Sequence, residues 1–388
     1  MELYETTDSF TKRMAKKANE LRLPFGGTIE LTPLCNMSCK MCYVYKSYEE
    51  MSANGKLLTV EQWICILEQM KEAGVLYLLI TGGEPLIYPY FKEVYKAMLD
   101  MGFLVTVNTN GTLINEEWAD FFAKYRCRRF NITLYGKDDA TYEKVCHNPK
   151  GFTSVMCAAA LLKERNLPFT FTSSLINENA DQMKELYRIA QSMDVPYKAA
   201  TYMFPAVRRN ICAEHQNRMS PEKAAQVMLK YYEISRTPEE MKTYVHSTLM
   251  NLFLPPRIVV AADRQGYPCR GGKSGFWVTW RGELTSCAML EYPQMSLLDH
   301  PFEECWKYIV EQTKEIAYCK LCLKCTKQNI CHICPAAAYT ETHSFEGCPE
   351  YVCAYTDELI RCLFEYLSDE EHAPYEMALK NGGFMQIL

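Results

Sequence analysis

The chain has 388 residues, 48% hydrophobic and 23% charged, with a formal net charge of -5. These values are ordinary for a soluble globular protein with a large core and more than one domain, and they lack the basic excess of a nucleic-acid footprint. No run of eighteen apolar residues offers a membrane span, and the charged stretch 1–20 has no apolar signal core, so a cytoplasmic protein is expected.

Taken in order, residues 1–24 read as one charged helix that leads into a short strand, Thr28–Leu31. From Gly27 onward strand and helix signals alternate, the pattern of βα units on a parallel sheet. Helices are expected over Thr59–Ala73, Tyr90–Met101, Glu116–Tyr125, Ser154–Arg165 and Ala180–Met193. Strands are expected over Val75–Ile80, Leu104–Asn108, Phe130–Leu134, Phe169–Ser174 and Tyr197–Met203. The first of these helices carries Val60, Trp63, Ile64, Leu67 and Met70 at helical spacing and stops at Gly74.

Six such units over 25–204 predict an α/β fold, a partial (β/α)6 barrel of parallel strands that is open laterally. Residues 205–260 read as a mostly helical bridge, with a helix from Ser220-Pro221 to Ile234. A cysteine-rich domain follows over 261–356, and a helix, Asp357–Leu367, opens the final segment 357–388.

Nineteen cysteines are the abnormal count, and eight of them lie between Cys305 and Cys353. In a long chain without an export signal, clustered thiols point to metal rather than to disulfides. Cys35, Cys39 and Cys42 stand at C-x3-C-x2-C directly after the first strand, and no histidine or further cysteine follows before Cys65. A structural zinc site would want a fourth ligand nearby, whereas a cubane cluster on three thiolates leaves one iron open. Zinc or plain core thiols remain the alternative at this point.

This loop resembles the radical S-adenosylmethionine (radical SAM) enzymes, although Met41 rather than an aromatic precedes Cys42 and Tyr43 follows it. The resemblance implies a [4Fe–4S] cluster on Cys35, Cys39 and Cys42, the catalytic residues. It also implies S-adenosylmethionine as cofactor, reductively cleaved to a 5′-deoxyadenosyl radical that abstracts a substrate hydrogen. Thr81-Gly82-Gly83-Glu84-Pro85 ends the second strand, at the barrel rim where the cysteine loop lies. By the same resemblance Gly82, Gly83 and Glu84 hold the amino group of the cofactor. Thr133 then meets its ribose, and Ser174 is a further cofactor contact.

The second cysteine group resembles the SPASM extension of peptide and protein maturases, which carries two auxiliary clusters. The matching features are Gly282-x4-Cys287 and the run C-x2-C-x5-C-x2-C from Cys322 to Cys334, one residue shorter than the common form. Family interleaving implies a first auxiliary [4Fe–4S] cluster on Cys269, Cys287 and Cys334, with Cys319, Cys348 or a substrate thiolate as fourth ligand. The second would use Cys322, Cys325, Cys331 and Cys353. Two zinc ribbons built from the C-x2-C pairs are the alternative.

The remaining cysteines read as small core residues, except that Cys146 and Cys212 sit where loops could expose them. His147, His332 and His343 read as ordinary loop histidines, and Arg208-Arg209 as a solvated pair.

The leading expectation is a maturase that installs a thioether or carbon–carbon link in a ribosomally made precursor peptide. Flavodoxin or ferredoxin would donate electrons, and a separate leader-binding protein is a possible partner. Alternatives are an anaerobic sulfatase maturase, a SPASM dehydrogenase of a small molecule, or a non-catalytic zinc or iron–sulfur electron carrier. Ala288 stands where sulfatase maturases commonly have a basic aspartate, which counts against the first of these.

Overall fold

The computed structural model describes residues 2–209, 217–254, 266–331, 334–368, 371 and 375; the side chains of 2–10 and 209 are not part of that description. Cys212 and His332, and parts of the bridge and of the final segment, lie outside the described residues.

A helix, α1 (Glu2–Leu21), precedes the first strand, β1 (Gly26–Glu30). The cysteine loop then leads to α2 (Tyr48–Asn54) and α3 (Val60–Glu72). Each starts at a reciprocal cap: Ser47 with Glu50, and Thr59 with Gln62. Next come β2 (Tyr77–Thr81), α4 (Phe91–Asp100), β3 (Leu104–Thr109), α5 (Glu116–Lys124) and β4 (Arg129–Thr133). The βα units finish with α6 (Asp139–Cys146), α7 (Gly151–Glu164), β5 (Phe169–Ser174), α8 (Met183–Ser192) and β6 (Tyr197–Ala200).

Neighbouring strands from β1 to β6 pair in parallel and in chain order. The expected elements are therefore present, with ends moved by a few residues and with α2 and α6 as additions. Aromatic residues seal the helices onto the sheet: Phe91, Tyr95, Phe122 and Phe130 are buried and stack edge to face.

The sheet does not stop at β1. A seventh strand, β7 (Gly275–Val278), lies parallel to its free edge, with Gly26 opposite Gly275 and Ile29 opposite Val278. Then β8 (Glu283–Thr285) and β9 (Gln294–Ser296) add on antiparallel, so one nine-stranded sheet runs β6-β5-β4-β3-β2-β1-β7-β8-β9. The barrel and the start of the cysteine-rich half are continuous through this sheet.

The bridge contributes α9 (Pro221–Ile234), capped by Ser220, and α10 (Pro238–Met250). The cysteine-rich half adds α11 (Phe302–Lys314), α12 (Lys320–Leu323), α13 (Pro335–Thr342) and α14 (Glu350–Glu365). The last of these begins seven residues before the expected Asp357, directly after Pro349. Its Leu359, Ile360 and Leu363 form a second core with Leu229 of α9 and Val245 and Leu249 of α10. No described helix is long and apolar enough to cross a membrane.

Candidate active site

The cysteine loop leaves β1 at the carboxyl end of the parallel strands, the end where such barrels carry their chemistry. Cys35, Cys39 and Cys42 are each half-buried. Backbone N–H groups point at two of them: Met37 N is 3.4 Å from Cys35 Sγ, and Tyr45 N is 3.3 Å from Cys42 Sγ. Burial, followed by the charge of Glu84, pushes the Cys35 thiol far above its ordinary range. A bound metal reverses that balance, because it takes the sulfur as thiolate. Three soft donors on one loop, with N–H groups directed at sulfur, fit an iron–sulfur cluster with one open iron.

Gly82 and Gly83 lie against this loop. A Cβ on Gly82 would stand 2.4 Å from the Thr32 carbonyl oxygen, and one on Gly83 would stand 2.2 Å from that of Leu34. Their lack of side chains lets Gly83 N donate to Thr32 O at 2.7 Å and Glu84 N donate to Leu34 O at 2.8 Å.

The Glu84 carboxylate, expected to meet an amino group, is fully buried and turned toward protein donors instead. Oε1 accepts from Thr109 Oγ1 at 2.8 Å and Leu86 N at 3.1 Å, and Oε2 accepts from Asn110 N at 2.8 Å. Burial raises its pKa to about 7 even so, with these donors opposing the rise.

Asn110 continues the connection. Its Nδ2 donates to Asn36 Oδ1 at 2.8 Å and lies 3.7 Å from Cys35 Sγ, while its Oδ1 accepts from Thr112. The loops after β1, β2 and β3 are thereby tied together under the cysteines. Thr133 and Ser174 end β4 and β5 on the same rim, both half-buried, and Thr133 Oγ1 is 3.5 Å from the Thr109 carbonyl. Asn36 escaped the sequence reading, and Asn110, in the run Asn108-Thr109-Asn110-Gly111 that ends the third strand, was given no role by it.

Arg208 is not a solvated residue. It forms a two-point ion pair with the fully buried Glu30, the last residue of β1, and also donates to the Ala288 carbonyl at 2.9 Å. Trp277 Nε1 donates to the same carboxylate at 2.6 Å. Burial, and then the charge of Glu30, pushes the neighbouring Tyr43 phenol far up, with Arg208 opposing and Cys42 and Cys287 adding to the rise. An acid closing an apolar strand was the missed signal here. A second pair, Arg218 with Glu341 at 2.7 and 3.0 Å, joins the bridge to α13.

None of the described cysteines forms a disulfide. Cys287 and Cys334 are pushed up to about 12 and about 11, by burial first, and Cys269 acts on both. Cys319 and Cys348, the expected candidates for the fourth ligand there, lie elsewhere. Their sulfurs and that of Cys322 are all within 4.8 Å of one another. Cys353 Sγ is 3.8 Å from Cys348 Sγ. The Cys331 thiol is raised by burial, with Cys325 adding. Cys146 is buried rather than exposed, while Cys65 and Cys157 are exposed rather than in the core.

Residues 29–190 match the model of the Radical SAM superfamily. This stretch is a radical SAM domain. S-adenosylmethionine and a [4Fe–4S] cluster come with that membership. The chain is similar to the AdoMet-dependent heme synthase of Methanosarcina barkeri, 21% identical over 81% of this chain and 92% of the relative. It is also similar to the sporulation killing factor maturation protein SkfB of Bacillus subtilis, 28% identical over 42% of this chain and 39% of that protein. The structure of Streptococcus suis SuiB bound to precursor peptide SuiA shares the fold, with a TM-score of 0.66, 18% identity and coverage of 90% of this chain and 81% of that one.

Proposed function

We propose that this enzyme is a peptide maturase, which takes hydrogen from a ribosomally made precursor peptide and leaves a thioether or carbon–carbon cross-link. The observation that carries this reading is the nearness of two thiol groups. Tyr43, next to Cys42, lines one cavity with Arg208, which pairs with buried Glu30 and donates to the carbonyl of Ala288, next to Cys287, so the radical-forming loop and the auxiliary thiols flank one buried ion pair. A flexible peptide can offer a C–H bond to one group and a sulfur to the other. The kinship with SkfB, a maturation protein, and the fold shared with SuiB support it.

In this reading Cys35, Cys39 and Cys42 hold the radical SAM cluster. Gly82, Gly83, Thr133 and Ser174 line the S-adenosylmethionine, and Glu84 fixes the loops around it. With both groups bound, the site supplies a carbon radical that abstracts hydrogen. The tied loops orient the reactants, and the surrounding half-buried rim limits water. Cys269, Cys287 and Cys334 hold an auxiliary cluster whose fourth position is open to a substrate thiolate. The other thiols of that half hold a second centre. Electrons come from a flavodoxin or ferredoxin in a reducing cytoplasm, and a separate protein presents the leader.

The test is anaerobic incubation of the reconstituted chain with the cysteine-bearing peptide encoded beside it. The expected product has lost two hydrogens per cross-link, with matching 5′-deoxyadenosine, and replacement of Cys35, Cys39 and Cys42 by Ala abolishes both. The near full-length kinship with heme synthase favours a second reading, a small-molecule substrate of the heme-precursor kind. An unchanged peptide mass beside a modified heme precursor would decide for that reading.

A further inference from the structure

With Cys269, Cys287 and Cys334 taken together, seven thiols of the cysteine-rich half remain: Cys305, buried in α11, and Cys319, Cys322, Cys325, Cys331, Cys348 and Cys353. They are unevenly spread. Among the described residues, Cys319, Cys322 and Cys348 form the one group of three or more metal-binding side chains whose ligand atoms all lie within 4.8 Å of one another. Neither the Cys35–Cys42 triad nor the Cys269–Cys334 triad is that compact. The difference is chemical. One metal ion with metal–sulfur bonds of about 2.3 Å sets its four thiolates about 3.8 Å apart. A cubane spreads its thiolates over four irons, to roughly 6 Å.

The surroundings are built to hold that arrangement. Cys319 is buried, and Tyr318, also buried, packs on Cys322 and Leu323. Leu323 N and Cys325 N donate to the carbonyls of Cys319 and Cys322, folding the pair into a tight knuckle, and Gln328 Nε2 donates to Cys322 O at 2.7 Å. Cys348 directly precedes Pro349, the residue before α14, and Cys353 lies in the first turn of that helix. Their sulfurs are 3.8 Å apart, the edge length of a tetrahedral site; Cys353 stands outside the group of three, more than 4.8 Å from Cys319 or Cys322 sulfur, and closes that gap on binding. The spacings C-x2-C and C-x4-C are those of structural zinc sites.

We propose that Cys319, Cys322, Cys348 and Cys353 bind a single tetrahedral soft metal ion, zinc, which clamps the 319–322 knuckle to the start of α14. Cys322 and Cys353 also belong to the four-iron set implied by family interleaving, so the basket carries one centre or the other. Binding releases the thiol protons. The proposal extends the peptide-maturase reading by naming the second centre, and shares with it only the premise that this half binds metal.

The test is the metal content of the full chain, purified anaerobically and reconstituted with iron, sulfide and zinc. The expected result is about one zinc and about eight irons per chain. Cys319→Ser and Cys348→Ser lose the zinc and keep the iron, while Cys325→Ser and Cys331→Ser keep both. On the zinc-depleted wild-type chain, cobalt(II) should give the intense visible bands of a tetrahedral thiolate site, a readout that needs no variant to fold. The proposal is overturned by about twelve irons and no zinc, with the Cys325 and Cys331 variants each losing about four irons. Peptide left unmodified by a chain that holds its zinc would sink the maturase reading alone.

Discussion

Arg208 grips both carboxylate oxygens of Glu30, at 2.7 and 3.0 Å, although the two residues are separated by nearly the whole barrel in sequence. The carboxylate is fully enclosed and the arginine nearly so.

Removing one partner of such a pair strands the other charge in a low dielectric. Arg208→Ala should cost about 3–5 kcal/mol. Replacing both residues with apolar ones should cost much less than that. Urea unfolding of the single and double variants checks the difference.

The close contact of Gly83 with the cysteine loop leaves no room for a methyl group. Gly83→Ala should push the loop after β2 off Leu34 by an ångström or so and slow S-adenosylmethionine cleavage about 100-fold. Iron content and 5′-deoxyadenosine formation, read on the same samples, check it.

Glu84 makes stability depend on pH with a defined sign. Its folded pKa, about 7, lies above its ordinary 4.5, so the folded state holds the proton more tightly than the unfolded one. The resulting stability is full below pH 4.5 and is lost as pH rises through 7, on the order of 3 kcal/mol in all. Glu84→Gln should abolish that slope. It should also cost about 1–3 kcal/mol, because an amide N–H₂ must then face one of the donors from Asn110, Leu86 or Thr109. Thermal unfolding from pH 4.5 to 8 measures both effects.

Asn110 places an N–H beside Cys35 Sγ, and hydrogen bonds to cluster sulfur favour the reduced, more negative state. Asn110→Ala should therefore make the reduction potential of the radical SAM cluster more negative, as read by an EPR-monitored titration. An unchanged potential would leave the asparagine only the task of tying Asn36 and Thr112 together.

The βα alternation was legible because it is local. Apolar spacing such as Trp63, Leu67 and Met70 marks a helix without knowledge of what covers it. The cysteine triad and G-G-E-P were legible as chemistry, yet the direction in which Glu84 turns was not. Its partners Thr109 and Asn110 lie a full βα unit away, and a carboxylate after two glycines looks equally available to a ligand. The pairing of β1 with β7 was hidden for the same reason on a larger scale. The pattern of each strand says that it is buried, and neither says beside what. The thiol partition was open too, since spacing along the chain does not say that Cys319 and Cys348 meet at Cys322.

Because β7 covers the outer edge of β1, the order of synthesis matters. Strand β1 leaves the ribosome before β7, and its covering strand follows about 250 residues later, on the order of 10–50 s at ordinary translation rates. For that interval the nascent barrel exposes a row of unpaired peptide groups, the kind of edge that recruits other chains. A fragment ending before Gly275 would keep that edge permanently, and co-expression with the missing half is the remedy the topology suggests.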